Sequence, residues 1–371
     1  MSRAEGILLW PFILGGWQLP VIYPVDIVIP VWNRPVETRA CLASLASNSP
    51  DARLIMVNYG SERETERILE EFADALDERA ILVSTERNIG RVAALNLGIG
   101  LAAAPVVVIA QYDLTVGPGW LDPLMKVMSG FPDVGLAIPS HGEGRKSPLG
   151  NNLPYHEVDH GSMGIMALRR EMFVAIGGLD TEMDGGVWCL RDYSRRATRA
   201  GFRTVCIPSC RLSFGEPQLL GSVARREERI HQGEQMYLRR WGRQEHFCIS
   251  AVGQSAGLQL VVMVPLIILA ARQGHMVHIL TDKGNIKIIG SIDEPPVHDS
   301  IVFEVLPKLF TGRALKKRID RLKDAFPDTS LVDCDSAAGP EAAAGSPVSF
   351  AVMVEAYQQK YYGEKGGADA G

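Results

Sequence analysis

PVVVIAQYDLTVGPGWL, residues 105–121, is the stretch from which the rest of the chain can be interpreted. Its apolar, mostly β-branched run predicts a buried strand, and the run ends abruptly at Asp113 before a turn rich in glycine and proline. In an open α/β sheet, ligands bind at the carboxyl ends of the strands. The sequence therefore predicts a functional site at Asp113.

The segments upstream of this strand alternate between the two kinds of secondary structure. Strands are predicted over 25–31, 52–58, 80–86 and 105–113, and helices over 35–47, 61–77 and 91–103. This alternation predicts a doubly wound, mostly parallel α/β sheet. Because right-handed crossovers place the carboxyl ends of parallel strands at one edge, we expect polar residues from four separate segments to converge there: Asn33, Asn58, Asn88 and Asp113.

A smaller Rossmann-like α/β unit is predicted from residue 245 onward. Its strands are predicted over 246–253, 276–282, 329–336 and 347–355, with a basic helix over 313–324. The helix predicted over 258–274 is apolar on nearly all sides, but Pro265 interrupts it and Arg272 closes it. These features favour a buried crossover helix over a membrane span.

Length and composition define the classes of protein to consider. The chain has 371 residues and a net charge of -5, so no global basic field favours nucleic acid as a partner. We predict an apolar amino-terminal extension (1–23), a main domain (24–242), a smaller domain (245–360) and a flexible tail (361–371). Residues 7–23 either pack on the main domain or touch a membrane through Trp10 and Trp17, so the predicted location is cytoplasmic, with or without membrane association.

Six segments of the main domain carry a family resemblance through their order and spacing. They are VDIVIPVWNR at 25–34, NYGS at 58–61, NIGRVAALNLGI at 88–99, PGWL at 118–121, RREMFVAIGGLD at 169–180 and RAGFRTVCIPS at 199–209. Residues 24–242 resemble the inverting nucleotide-sugar glycosyltransferases of the GT-A fold, family 2 type. Residues 246–360 resemble, more distantly, the amino-terminal Rossmann-like half of a GT-B glycosyltransferase. The first resemblance implies transfer of a sugar, with inversion, from a nucleotide-diphosphate sugar to a saccharide or lipid-linked saccharide.

The resemblance also implies a cofactor, a divalent metal ion, Mn²⁺ or Mg²⁺. The metal motif of the family is Asp-x-Asp, and the matching residues here are Gln111, Tyr112 and Asp113. The second carboxylate is retained, so Asp113 is the implied metal ligand. Two alternatives stay open: Asp113 could instead cap the turn at Gly117, and the enzyme could work without the metal. The His that often completes the metal shell matches Phe214.

The resemblance further implies which residues hold the donor. Asn58 matches the Asp that holds the nucleobase, and Arg91 matches a position from which it could reach a phosphate or simply begin a solvated helix. The full set implied to bind the nucleotide sugar is Pro30, Val31, Asn33, Asn58, Asn88, Gly90, Arg91, Gln111 and Tyr112.

The catalytic base is the part of the match in which the sequence departs most from the family. Cys189 and Leu190 stand where the family carries Glu-Asp, which leaves Asp192 and Asp184 as candidate bases. Asp192 also lies four residues before Arg196, the spacing of an ordinary helical ion pair. Two alternatives to an active transferase therefore remain. One is a degenerate GT-A module that serves as scaffold or nucleotide-sugar-binding partner of another glycosyltransferase, and the other is a membrane-peripheral assembly subunit using residues 7–23.

Overall fold

The computed structural model describes residues 23–140, 148–149, 154–212, 222–253, 255–309, 311–334 and 347–362. Several predicted features lie outside these ranges. They are the apolar segment 7–22, the metal-ligand position Phe214 and the tail 363–371.

The first part of the chain builds an eight-stranded mixed sheet. Its strands are β1 Val25–Val31, β2 Ala52–Tyr59, β3 Ala80–Thr85, β4 Val106–Ala110, β5 Val134–Ser140, β6 His156–Glu157, β7 Ile165–Arg169 and β8 Arg203–Arg211. They lie in the order β3-β2-β1-β4-β7-β5-β8-β6. Strands β1 to β4 pair in parallel, whereas β7 runs antiparallel to both β4 and β5.

Helices cover both faces of this sheet, as the sequence predicted. They are α1 Pro35–Asn48, α2 Arg63–Leu76, α3 Arg91–Leu101, α4 Asp122–Gly130, α5 Arg170–Ile176, α6 Trp188–Arg199 and α7 Val223–Trp241. One core cluster joins the sheet to α1, α2 and α4, and a second joins it to α3, α5, α6 and α7. Apolar side chains project from both faces of the sheet and pack against these helices. The sheet is therefore buried on both sides.

The point where the strand order reverses lies between β1 and β4. From β1 the chain adds β2 and then β3 on one side, and it returns to place β4 on the other side. The crossovers therefore leave a crevice beyond the carboxyl ends of β1 and β4, which is where open α/β sheets bind ligands. Asn33 and Asp113 follow these two strands.

The second part of the chain builds a smaller, four-stranded parallel sheet. Its strands are β9 His246–Ala251, β10 Met276–Thr281, β11 Ile301–Val305 and β12 Ser330–Asp333, in the order β11-β10-β9-β12. Its helices are α8 Ala256–Arg272, α9 Lys283–Gly290, α10 Thr311–Ala325 and α11 Pro347–Tyr362. The predicted fold class, a large mostly parallel α/β sheet followed by a smaller α/β unit, is confirmed. The exact domain boundaries stay predictions.

Two parts of the sequence prediction for the smaller unit are wrong. Residues 347–355 form the start of α11 and not a strand, because Phe350 and Val354 are buried four residues apart and the helical repeat continues to Tyr362. The predicted buried helix, α8, exposes one apolar stripe, with Leu258 at 67% and Val262 at 77% exposure. Among the described residues, no helix is long and apolar enough to cross a membrane.

Buried ion pairs join the two sheets. Arg272, at the end of α8, donates two hydrogen bonds to Glu157 of β6, at 2.7 and 2.6 Å. Arg195 of α6 is 3% exposed and bonds to Asp159, to Tyr237 and to the backbone carbonyl of Arg272. Because Glu157 and Arg195 are almost fully buried and are bonded to Arg272 of the smaller unit, these contacts fix where the two units meet.

Candidate active site

Asp113 lies where the sequence placed it, just beyond β4 in the crevice. Its Oδ1 atom is buried and has no hydrogen-bond partner, so one strong acceptor at this edge of the sheet is left open for a ligand. Burial raises the pKa of the carboxyl group, while the Gln111 side chain and the Arg91 guanidinium oppose that rise. The site thus contains a partly desolvated carboxylate beside a cation.

Arg91, the first residue of α3, turns into the crevice rather than into solvent. Its guanidinium donates to Gln111 Oε1 at 3.1 Å and to the Met163 carbonyl at 2.5 Å. Gln111 is itself 5% exposed, and its backbone is bonded to Gly164. The alternative of a solvated helix start is therefore not what the structure shows, because Arg91 is anchored across the ends of β4 and β7.

Asp184 reaches the same place from a distant part of the chain. It follows a short 3₁₀ helix, Thr181–Met183, and lies close enough to the first turn of α3 for the backbone N–H of Val92 to oppose the rise of its pKa. A Cβ added at Gly90 would lie 3.1 Å from Asp184 Oδ2, so this carboxylate is packed against the glycine. Burial raises the pKa of Asp184, and the charges of Arg229 and Arg91 oppose the rise.

Two tyrosines complete this cluster. Tyr112 is half-buried beside Asp113, and its pKa is raised by burial and by that carboxylate. Burial also raises the pKa of Tyr59 to about 12, with Arg91, Tyr112 and Asp184 as charged or titrating neighbours. The structure therefore gathers residues from β2, α3, the β4 end and the loop before α6 around one arginine.

The loops after β1, β2 and β3 interlock beside the cluster. The backbone N–H of Asn33 donates to Ser61 Oγ at 2.9 Å, and its Oδ1 accepts from the backbone of Glu62 at 2.8 Å. Gly60 has φ +88°, and a Cβ there would lie 2.6 Å from the backbone of Arg87 and Asn88. Only glycine allows this approach, so the three loops form one rigid edge.

The structure uses the predicted nucleotide-binding residues in different ways. Asn58 is 1% exposed, and its amide is bonded to the Ser61 backbone at 2.9 Å and to Ser84 at 3.3 Å, so it holds the β2 loop. Asn88 Oδ1 accepts from the Gly90 backbone at 2.8 Å and shapes the start of α3. Pro30 and Val31 are buried within β1, directly before the loop that carries Asn33.

Asp192 does not join the site. It is fully buried, and its carboxylate accepts from Arg196 at 2.8 Å, Arg240 at 2.7 Å and the Trp241 indole at 2.9 Å. All of these partners come from α6 and α7, so the carboxylate ties two helices together. A group enclosed in this way has no path to an acceptor hydroxyl, which leaves Asp184 as the accessible candidate base.

Replacing Asp192 by alanine is expected to destabilise the fold by about 2–4 kcal/mol, because it removes three hydrogen bonds to a buried carboxylate and leaves the Trp241 indole N–H without its acceptor. The urea midpoint of unfolding measures this change. In the control Glu71→Ala, which removes an exposed pair with Arg39, the midpoint is expected to stay the same. An Asp192→Ala protein of normal stability would show that the buried pairs do not hold α6 to α7.

Few side chains of the site could act as ligands of a metal ion. Within the described ranges, no group of three or more His, Cys, Asp and Glu residues could hold a metal ion. Gln111 Oε1 is taken up by Arg91, which leaves the open Oδ1 of Asp113. A divalent cation often uses one or two carboxylates and takes its other ligands from substrate phosphates and water, so Asp113 fits that role as a single protein ligand.

Part of the chain matches the model of a known protein family. Residues 26–179 match the family model for glycosyl transferase family 2. This match covers less than half of the chain and lies within the first sheet and its helices, which we call the family 2 domain. The resemblance found in the sequence is thus confirmed at the level of the family, and the crevice of the family 2 domain holds Asp113 and Arg91. The resemblance of the smaller unit to a GT-B half stays a prediction.

The chain is similar to three known proteins over part of its length. Glycosyltransferase AglE of Haloferax volcanii is 28% identical over 109 residues, which cover 29% of this chain and 36% of that protein. The mannosyltransferase PcManGT from Pyrobaculum calidifontis, solved with GDP-Man and Mn²⁺, has a TM-score of 0.46 at 17% identity, covering 61% of this chain and 68% of its own. GalNAc-T7, solved with UDP, GalNAc and Mn²⁺, has a TM-score of 0.48 at 15% identity, covering 60% and 50%. The chain thus spans about a third of the length of the curated relative.

Sequence reasoning missed three contributors to the family 2 site. The Met163 carbonyl lies on a loop after β6, Arg229 lies on α7, and Tyr59 ends β2. The first two are brought in by long-range packing, for which a single sequence holds no signal. Tyr59 follows Asn58 directly at the strand end and could have been included on that ground.

Proposed function

We propose that this chain is an inverting glycosyltransferase that transfers a sugar from a nucleoside-diphosphate sugar to a saccharide or lipid-linked saccharide acceptor. The observation that carries the proposal is Arg91, which is hydrogen-bonded to Gln111 and Met163 at the reversal point of the sheet and whose charge acts on both Asp113 and Asp184. One cation and two separated acids supply the groups that glycosyl transfer needs: charge for the leaving diphosphate and a base for the acceptor.

In this proposal the donor lies along the edge formed by the first three strand loops. The nucleoside occupies the loops after β1 and β2, and the diphosphate reaches the start of α3. The Arg91 guanidinium, already fixed by Gln111 and Met163, donates to the phosphate oxygens as a preorganised charge. Because its partners hold it in place, little reorganisation is needed when charge develops on the leaving group.

Asp184 then acts on the acceptor. Its carboxylate takes the proton of the attacking hydroxyl while that oxygen bonds to the anomeric carbon. The bond from that carbon to the diphosphate oxygen breaks, and its electron pair leaves with the nucleoside diphosphate. The raised pKa of Asp184, caused by burial, makes it a stronger base than an exposed carboxylate. Attack opposite the leaving group inverts the anomeric centre.

The proposed cofactor site consists of Asp113. A divalent cation there would neutralise charge on the diphosphate as a Lewis acid. Arg91 carries positive charge into the same crevice, so we propose that Mn²⁺ or Mg²⁺ strongly accelerates transfer while a slow, metal-independent rate remains.

Replacing Asp184 by asparagine is expected to lower kcat about 100-fold and to leave the affinity for nucleoside diphosphate within a few-fold, because only the proton acceptor is lost. In the parent enzyme kcat/KM should rise with pH through the raised pKa of this carboxyl group, since the base works deprotonated, and Asp184→Asn should lose that limb. A variant with the full rate and an unchanged pH profile would exclude Asp184 as base.

The first experiment is calorimetric titration of the purified chain with UDP, GDP and TDP, with and without Mn²⁺, followed by donor hydrolysis assays. Binding of one nucleotide together with release of sugar supports the transferase. A folded protein that binds no nucleotide would overturn the proposal.

A second function is favoured by the same site: a degenerate module that binds a nucleotide sugar, or a partner glycosyltransferase, without turnover. It rests on the enclosure of Asp192 and on the absence of a three-ligand metal group from the described part of the chain. Nucleotide binding without transfer across a broad donor and acceptor panel would favour this module over the enzyme.

A further inference from the structure

Positive charge is concentrated on one helix of the smaller unit. Residues 308–323 hold seven Lys and Arg residues against a single Asp, a net charge of +6, although the whole chain carries -5. The rest of the molecule therefore carries -11. This stretch contains most of α10, and none of that helix's residues is buried. A local charge of opposite sign to the whole is the electrostatic footprint of a binding surface.

The charged face of α10 points outward because the other face is anchored. Ala314, Leu315, Ile319 and Leu322 pack against a small core cluster around Leu280. The opposite side carries the exposed residues Lys316, Lys317 and Arg321, together with Asp320 and Asp324. Leu309, just before the helix, is 77% exposed. An apolar side chain thus stands beside a row of cations.

We propose that the outward face of α10 docks this protein on an anionic phospholipid surface. The lysine and arginine side chains meet the lipid headgroups, and Leu309 reaches the boundary between headgroups and acyl chains. A basic amphipathic helix is suited to this position, and each lysine or arginine near such a surface contributes favourably.

Charge complementarity selects this occupant over two others. A nucleic acid offers phosphates but no apolar layer for the exposed Leu309, whereas a phospholipid surface offers both. A protein partner of ordinary affinity would need a larger apolar centre than one exposed leucine. The proposal does not depend on the proposed transferase, since docking requires no catalytic residue.

Vesicle co-sedimentation of the full chain tests this. Vesicles of phosphatidylcholine mixed with phosphatidylglycerol are expected to bind the protein, and vesicles of phosphatidylcholine alone are expected to bind it at least tenfold more weakly. The triple variant Lys316→Glu, Lys317→Glu, Arg321→Glu should bind the anionic vesicles roughly 100-fold more weakly than the parent. Binding by the parent should also fall as salt is raised.

The matched control reverses three exposed cations elsewhere, Arg63→Glu, Arg67→Glu and Lys126→Glu, and should bind like the parent. Thermal unfolding verifies that both variants keep their fold. Equal loss in both variants would overturn the proposal, since net charge and not α10 would then be responsible. Full binding by the α10 variant would also overturn it, because another segment, such as 7–22, would hold the membrane. Binding of single-stranded RNA with no binding of vesicles would overturn it in favour of nucleic acid.

Discussion

Replacing Asp113 by alanine is expected to lower the rate of sugar transfer about 1,000-fold while the protein stays folded. Asp113 Oδ1 is buried and has no hydrogen-bond partner in the fold, so we expect its removal to cost the fold little. Its removal takes away the proposed ligand of the divalent cation and with it several kcal/mol of charge stabilisation on the leaving diphosphate. Initial rates at saturating donor, with and without Mn²⁺, measure the effect.

The outcome in the absence of metal separates two roles of this carboxylate. If Asp113 acts through the cation, Asp113→Ala and the parent should have similar rates in EDTA, and Mn²⁺ should stimulate only the parent. The matched control Asp122→Ala removes an exposed carboxylate at the start of α4 and should leave both rates unchanged. An Asp113→Ala enzyme with full, metal-stimulated activity would move the cation site elsewhere.

The sheet of the family 2 domain could be predicted from sequence because its signals are local. Strands β1, β2 and β3 and helices α1, α2 and α3 begin and end within two residues of their predicted limits, since apolar periodicity sets them. The strand predicted over 347–355 was wrong because the local signal is ambiguous there. Over nine residues, an apolar run fits a strand or a helix equally well. The burial of Phe350 against the smaller sheet favours the helix, and that contact is not visible in the sequence.

The candidate site was predictable only in part. Asp113 follows from a strand end, and Asn88, Gly90 and Arg91 follow from the turn before α3. The choice between Asp184 and Asp192 depends on Arg240 and Trp241, which lie 48 and 49 residues from Asp192 in the chain. Those partners enclose Asp192, while a short 3₁₀ helix carries Asp184 to the start of α3. No local pattern distinguishes a carboxylate enclosed by a distant helix from one aimed into a crevice.

Replacing Arg91 by alanine is expected to lower kcat/KM for the donor about 100- to 1,000-fold, the usual cost of removing one preorganised donor from developing negative charge. The guanidinium is fixed by Gln111 and Met163 and faces both carboxylates of the site. Arg91→Lys keeps the charge but loses the planar fork, so it should recover only part of the rate. Arg87→Ala, an exposed arginine on the preceding loop, is the matched control.

Substitution of Gln111, which accepts a hydrogen bond from Arg91, tests this prediction further. Gln111 is neutral, so the Arg91 charge stays available to the diphosphate. In Gln111→Asp a second carboxylate would pair with Arg91 and lie beside Asp113. The binding of the diphosphate would then depend more strongly on a divalent cation. Calorimetric titration with nucleoside diphosphate should then show weaker binding in EDTA and a larger gain with Mn²⁺ than in the parent. If Gln111→Asp binds with the parent's metal dependence and Arg91→Ala binds as tightly as the parent, the diphosphate does not lie against Arg91, and the electrostatic basis of the proposed transfer fails.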